Sequence, residues 1–138
     1  EDYGLDIGHV IEIVGIQKIT EVPDLPNYLK GVVNMRGLII PVMDVRLRFG
    51  MAERAPDDRT CLIFVSVEND TVGLLVDRVN EVAEIPAGQI EPAPPTREAD
   101  ACYIKGMGKV GSSVKLLLDT REILRFGRSL AVDEFSFN

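Results

Sequence analysis

The sequence predicts a mainly β protein built of two small barrels packed side by side, with a few short helices. Two observations predict this. Short, β-branched segments cut by glycine recur along the chain. These segments also repeat one another in the same order, which points to duplication of a β unit. Many short strands with glycine turns and little helical periodicity favour small barrels.

The elements follow in order. Gly31 to Arg36 reads as a strand and Leu38 to Met43 as another, with Gly37 marking a tight hairpin between them. Pro41 has no amide donor, so it belongs on an edge or at a bulge. Cys61 to Val67 is a strongly apolar strand. Glu68-Asn69-Asp70 is its turn, and Thr71 to Val76 returns. Val79 to Ile85 alternates like a further strand, and Val114 to Leu118 is one more. Helices are short. Asp24 could cap a turn begun by Pro26 and ended by Gly31. Asp44 could cap Val45 to Phe49, with Gly50 as the stop. Asp119, followed by Glu122 at capping-box spacing, could cap Thr120 to Phe126 before Gly127. Ala87 to Asp100 is rich in proline, alanine and glutamate and reads as a surface connection. The tail from Ala131 to Asn138 is expected to fray.

The repeat is specific in sequence. Tyr28-Leu29-Lys30-Gly31 recurs as Tyr103-Ile104-Lys105-Gly106, and Asp44-Val45-Arg46 recurs at the same offset as Asp119-Thr120-Arg121. Each unit closes on Arg-Phe-Gly. Gly4-Leu5 and Val10-x-Glu12-Ile13 match Gly73-Leu74 and Val79-x-Glu81-Val82. The units run from about residue 1 to 58 and from about 59 to 138, within a single domain. The second unit has a strand ahead of its Gly-Leu pair and the first does not, so a first strand is expected before residue 1.

Composition narrows the function. The chain has 138 residues, 46% hydrophobic and 27% charged, the balance of a globular domain. The net charge of −7 and the absence of tryptophan make a phosphate-backbone binder a poor fit, so a nucleic-acid-binding barrel is the remote alternative. No apolar run reaches the ~20 residues of a membrane helix. Two cysteines and one histidine form no metal spacing, and no cofactor motif is present. His9, Cys61 and Cys102 have no visible catalytic partner, so an enzyme is not expected.

Three positions could carry a binding function. Arg36 stands directly before the hairpin glycine, either as a solvated turn charge or as a fixed guanidinium offered to a partner. Glu12 and Glu81 sit between apolar neighbours. Each either points to water while those neighbours point inward, or lies on a groove rim, where Glu12 could pair with Arg36. Ile7, Val10, Ile13, Val79 and Val82 are core by default. Two barrels side by side leave a seam, however, and some of these aliphatics could line it and accept an amphipathic helix.

These residues carry a resemblance. Tyr3-Gly4-Leu5-Asp6-Ile7, Val10-x-Glu12-Ile13, the block from Gly31-Val32-Val33-Asn34-Met35-Arg36-Gly37 to Asp44, and Val72 to Val79 resemble the CheW family of bacterial chemotaxis coupling proteins. The resemblance covers essentially the whole chain. Met35 stands where leucine is usual, a volume-conserving change.

The resemblance implies two five-stranded, SH3-like barrels, with the N-terminal strand able to pack with the second. It implies a non-enzymatic adaptor, without cofactor or metal, that couples chemoreceptor cytoplasmic tips to the histidine kinase CheA. The protein would be cytoplasmic and recruited to membrane-associated receptor arrays. Receptor contact falls on Ile7, Val10, Glu12, Gly31, Arg36, Val79 and Val82; no kinase-contact residues are assigned. The alternatives are a CheW-like regulatory domain of the kinase itself and the coupling domain of a CheV-like fusion.

Overall fold

The computed structural model describes residues 2–80, 84–92 and 104–124. The mainly β fold is found. The strands are β1 (Asp2–Gly4), β2 (Val10–Gly15), β3 (Leu29–Met35), β4 (Leu38–Asp44), β5 (Cys61–Val67), β6 (Asp70–Val76), β7 (Ile90–Pro92), β8 (Ile104–Val110) and β9 (Ser113–Leu118). They form one sheet in the order β2-β5-β6-β4-β3 and a second in the order β1-β9-β8-β7. After β2 the chain crosses to the far edge, where Thr20 and Val32 of β3 exchange backbone hydrogen bonds of 2.8 and 2.9 Å. This crossing brings the two edges of the first sheet toward each other.

The sequence repeat survives as structure, but the sheets do not divide near residue 58. β5 and β6 complete the first sheet, and β1 joins the second. The exchange is reciprocal. β6 pairs in parallel with β4 through Gly73 and Val42, and β1 pairs in parallel with β9 through Gly4 and Leu117, the matching positions of the two units. Gly31 and Gly106 each follow a register shift in their hairpins. Each also lies under a crossing carbonyl: a Cβ on Gly31 would fall 2.0 Å from the Thr20 oxygen, and one on Gly106 would fall 2.8 Å from that of Glu91. Asp44 caps helix α1 (Val45–Arg48) by accepting from the Leu47 amide at 3.3 Å. Asp119 repeats the device, accepting from the Arg121 and Glu122 amides ahead of the helical turn at 120–124. The end of that predicted helix, the Cys102-Tyr103 pair and the tail from Ala131 lie outside the described residues.

Two-sided burial explains the apolar run of β5. Leu62 and Phe64 face the interior of the first sheet with Val33, Ile40 and Val42. Ile63 and Val65 face the other way, joining Met43, Val72 and Leu74 in a core with Leu118, Ile123 and Leu124. Each fully buried aliphatic contributes roughly 1.5–3 kcal/mol. The interior between the two sheets is therefore packed core.

Four local expectations are corrected. No helix forms after Asp24, which takes a positive φ of 65°; the segment makes one turn, Leu29 N–H to Pro26 C=O at 3.0 Å, and enters β3. Gly31 is needed inside that strand, not as a helix stop. Val79 does not begin a strand, because β6 lies between β4 and β5 and its last partner is spent where Val76 meets Cys61. The connection from Ala87 contains a strand, β7, paired to β8. Pro41 is in an interior strand. It stands opposite Val32, whose own amide and carbonyl point away to Thr20, and just before the pairing with β6 starts at Val42, so its missing donor costs no ladder bond.

Candidate functional site

The site grows from the β3–β4 hairpin. Met35 pairs with Leu38, leaving Arg36 and Gly37 as a two-residue turn with φ of 52° and 87°. Two successive positive φ values match the twist of the flanking strands. The Asn34 Oδ1 accepts from the Gly37 amide at 2.9 Å and fixes the turn. Glycine takes its half of this conformation without penalty; Arg36 does not.

From that position the Arg36 guanidinium reaches Glu12 on the opposite edge strand. Nη1 donates to Oε1 at 2.8 Å and Nη2 to Oε2 at 2.9 Å, a two-pronged match of fork to carboxylate. The hydrogen bond from Arg36 holds the Glu12 carboxyl below its ordinary value. The Arg36 side chain is 74% exposed and that of Glu12 29%.

Glu12 can do this because β2 is bulged. Val10 stands opposite Val65 and Glu12 opposite Phe64, with Ile11 left over between them. Glu12 thus shares the inner side of the sheet with Phe64, while Ile11 and Ile13 turn out to 59% and 45% exposure. The default alternation, carboxylate out and aliphatics in, is reversed here. Beyond the turn, Leu38 and Ile39 are also exposed, at 67% and 59%.

The remaining expected site residues fall in different settings. Ile7 is exposed in a 3-10 turn capped by Asp6, whose carboxylate accepts from the Gly8 amide at 2.8 Å. Val10 is half-buried against the core between the sheets. Gly31, with φ of 137°, is buried under Thr20, so the close backbone approach it permits is made by this chain itself. Val79 is exposed and lines a depression with Arg59, Cys61, Arg78 and Asn80. It follows the Cys61 end of β5, whereas Val10 pairs at Val65, roughly 13 Å along the strand. Val82 and Glu81 lie outside the described residues. Glu12 and Arg36 are thus the two whose side chains bond to each other, while Val10 donates its backbone amide to the Ile7 carbonyl. The exposed Ile11, Leu38 and Ile39 were not singled out by the sequence: a bulge leaves no residue-type signal at Ile11, and Leu38 and Ile39 read as ordinary apolar strand residues.

Among the described residues, no three His, Cys, Asp or Glu side chains gather as a metal site. Cys61 is buried, and burial pushes its thiol up, away from the nucleophilic thiolate.

Comparison with known proteins bears on the chain as a whole. Residues 1–127 match the family model described as CheW-like domain. The chain is 35% identical over 134 residues to a chemotaxis protein CheW of Klebsiella aerogenes, covering 96% of this chain and 81% of that protein. It is 32% identical over 125 residues to the CheW of Helicobacter pylori, covering 91% and 76%. The crystal structure of the scaffolding protein TtCheW from Thermoanaerobacter tengcongensis superposes with a TM-score of 0.80 at 37% identity, covering 85% of this chain and 80% of that one.

Proposed function

The chain belongs to the CheW-like domain family, and from that premise we propose that it is a non-enzymatic adaptor coupling chemoreceptor cytoplasmic tips to the histidine kinase CheA. The observation that carries the site is the Glu12–Arg36 fork, an oriented charge pair beside exposed Leu38 and Ile39. A helical receptor hairpin lays an apolar stripe on such a surface and takes its orientation from the fixed charge. Each aliphatic covered contributes roughly 1.5–3 kcal/mol before association costs.

Within this reading Ile7, Val79 and Val82 offer direct receptor contact. Val10 and Gly31 shape the surface from beneath. Arg36 sets the pose, and Glu12 holds Arg36. Exposed sheet edges meet the kinase regulatory domain barrel to barrel. Receptor state then changes kinase activity through contacts that differ between states. Among the described residues no helix is long and apolar enough to cross a membrane. In this reading the protein joins membrane-associated arrays by holding the receptor.

Co-sedimentation with receptor cytoplasmic fragments, with and without kinase, tests the proposal. Kinase that pellets with receptor only when this protein is present supports coupling. Kinase recovery indifferent to it refutes coupling.

A further inference from the structure

We propose that the depression between Arg59 and Arg78 is a specificity pocket that receives a carboxylate side chain of the bound partner polypeptide. The proposal rests on the adaptor reading and names the chemistry of one part of its docking face. The depression has a volume of about 470 Å³ and is lined by Arg59, Cys61, Arg78, Val79 and Asn80.

The arginine partnerships single it out. Arg36 pairs with Glu12, Arg46 with Asp77, Arg54 with Asp57 and Asp77, and Arg121 with Glu68. Arg48 lies over the Tyr28 ring at 5.0 Å. Among the described residues, Arg59 and Arg78 are the two arginines without an ion pair or ring contact, and both line this one depression. Two acids of this region are engaged elsewhere. Asp57 is taken by Arg54 and by the amides of Arg59 and Thr60. Asp2 is held chiefly by Lys115 at 2.9 Å and feels the Arg78 charge only as its weakest influence, without an ion-pair contact.

The form of the site favours a protein carboxylate over other anions. Exposed Val79 offers an apolar wall for the stem of a glutamate, and Asn80 can add a neutral hydrogen bond. A net charge of −7 opposes nucleic acid. Arginine forks match carboxylate geometry in two-pronged fashion.

The test uses the full chain as wild type, Arg59→Ala/Arg78→Ala and, as control, Arg121→Ala. Each is titrated with a receptor hairpin-tip fragment and, separately, with an amphipathic helical peptide of Glu, Leu and Ala. Backbone resonances of Val79 and Asn80 are followed at rising salt. The double variant is expected to lose about ten-fold or more in affinity for both probes and to show a flatter salt dependence, with melting unchanged. Arg121→Ala should bind like wild type. Receptor binding that survives in the double variant overturns the pocket but leaves the adaptor reading standing. If the receptor fragment does not bind at all, the adaptor reading falls and the peptide arm decides the pocket; a peptide that leaves Val79 and Asn80 unmoved overturns it. A response to inorganic phosphate but not to the peptide marks a free-anion site and also overturns the proposal.

Discussion

Arg36 and Glu12 join opposite edges of one sheet through two parallel hydrogen bonds, although Arg36 must adopt a left-handed backbone to do so. The two-residue hairpin imposes that conformation on whatever residue stands there, so the fork is made in addition to the turn and is not its cause. The side chain is also mostly exposed, so solvent screening leaves the pair little to add to stability. Fixed charge on an open surface suits recognition better than folding.

Arg36→Glu places two carboxylates where a fork and its acceptor stood. Folding stability should change little, because the pair is screened by solvent. Receptor-fragment binding should weaken at least about ten-fold, because the surface loses a positive group and gains repulsion. A urea melt beside a binding titration separates the two. Unchanged affinity would remove Arg36 from the docking face.

The pH dependence of this pair has a definite sign. The Arg36 hydrogen bond lowers the Glu12 carboxyl in the folded state. Its contribution is therefore fully present above the ordinary value of 4.5 and is lost as pH falls through the lower folded value. Asp2, held by Lys115, and Asp57, held by the Arg59 amide, shift in the same direction and add to acid sensitivity. Glu12→Gln isolates one member. Urea midpoints of wild type and variant from about pH 7 to about pH 3 should differ near neutrality and converge at the acid end. A difference that widens with acid would contradict the sign.

Gly31→Ala tests whether the crossing at Thr20 is required. A Cβ there would meet the Thr20 oxygen at 2.0 Å, and the φ of 137° is closed to side chains. Exposed positions usually change stability by less than about 0.5 kcal/mol, whereas backbone strain and displacement here should cost about 2–4 kcal/mol. Gly37→Ala is the control: its φ is also positive, but its Cβ would meet open space, so it should cost about 1 kcal/mol. Denaturant midpoints for both decide. Equal losses would mean that the crossing contributes nothing.

How much of this was legible depended on the signal. Strands announced by a run of apolar residues, such as Cys61 to Val67, and caps announced by one residue type, such as Asp44 and Asp119, were readable because the cause is local. The repeat at Gly31 and Gly106 was visible as sequence, yet its meaning, a glycine under a crossing strand, needed the fold. That the N-terminal strand can pack with the second barrel is implied by the family resemblance, whereas the place of β5–β6 in the first sheet could not be read, because their pairing partners lie far apart in sequence. The bulge at Ile11 inverted a period-two reading and hid the exposed Ile11 and Ile13. Glu12 and Arg36 were both noticed, and their pairing stood as one alternative; choosing it required knowing that the hairpin tip returns to β2.

Val10 and Ile7 separate core from contact. Val10 packs on the core between the sheets, next to Val65, whereas Ile7 is 59% exposed. Val10→Asp would put a charge against that core and should cost about 2–4 kcal/mol with a broadened melt. Ile7→Asp should leave the melt within about 0.5 kcal/mol and weaken receptor-fragment binding several-fold. If Val10→Asp instead melts like wild type while binding is lost, Val10 belongs to the contact surface. If Ile7→Asp alters neither melt nor binding, the 3-10 turn lies off the docking face, and the receptor is held by the Glu12–Arg36 end of the sheet alone.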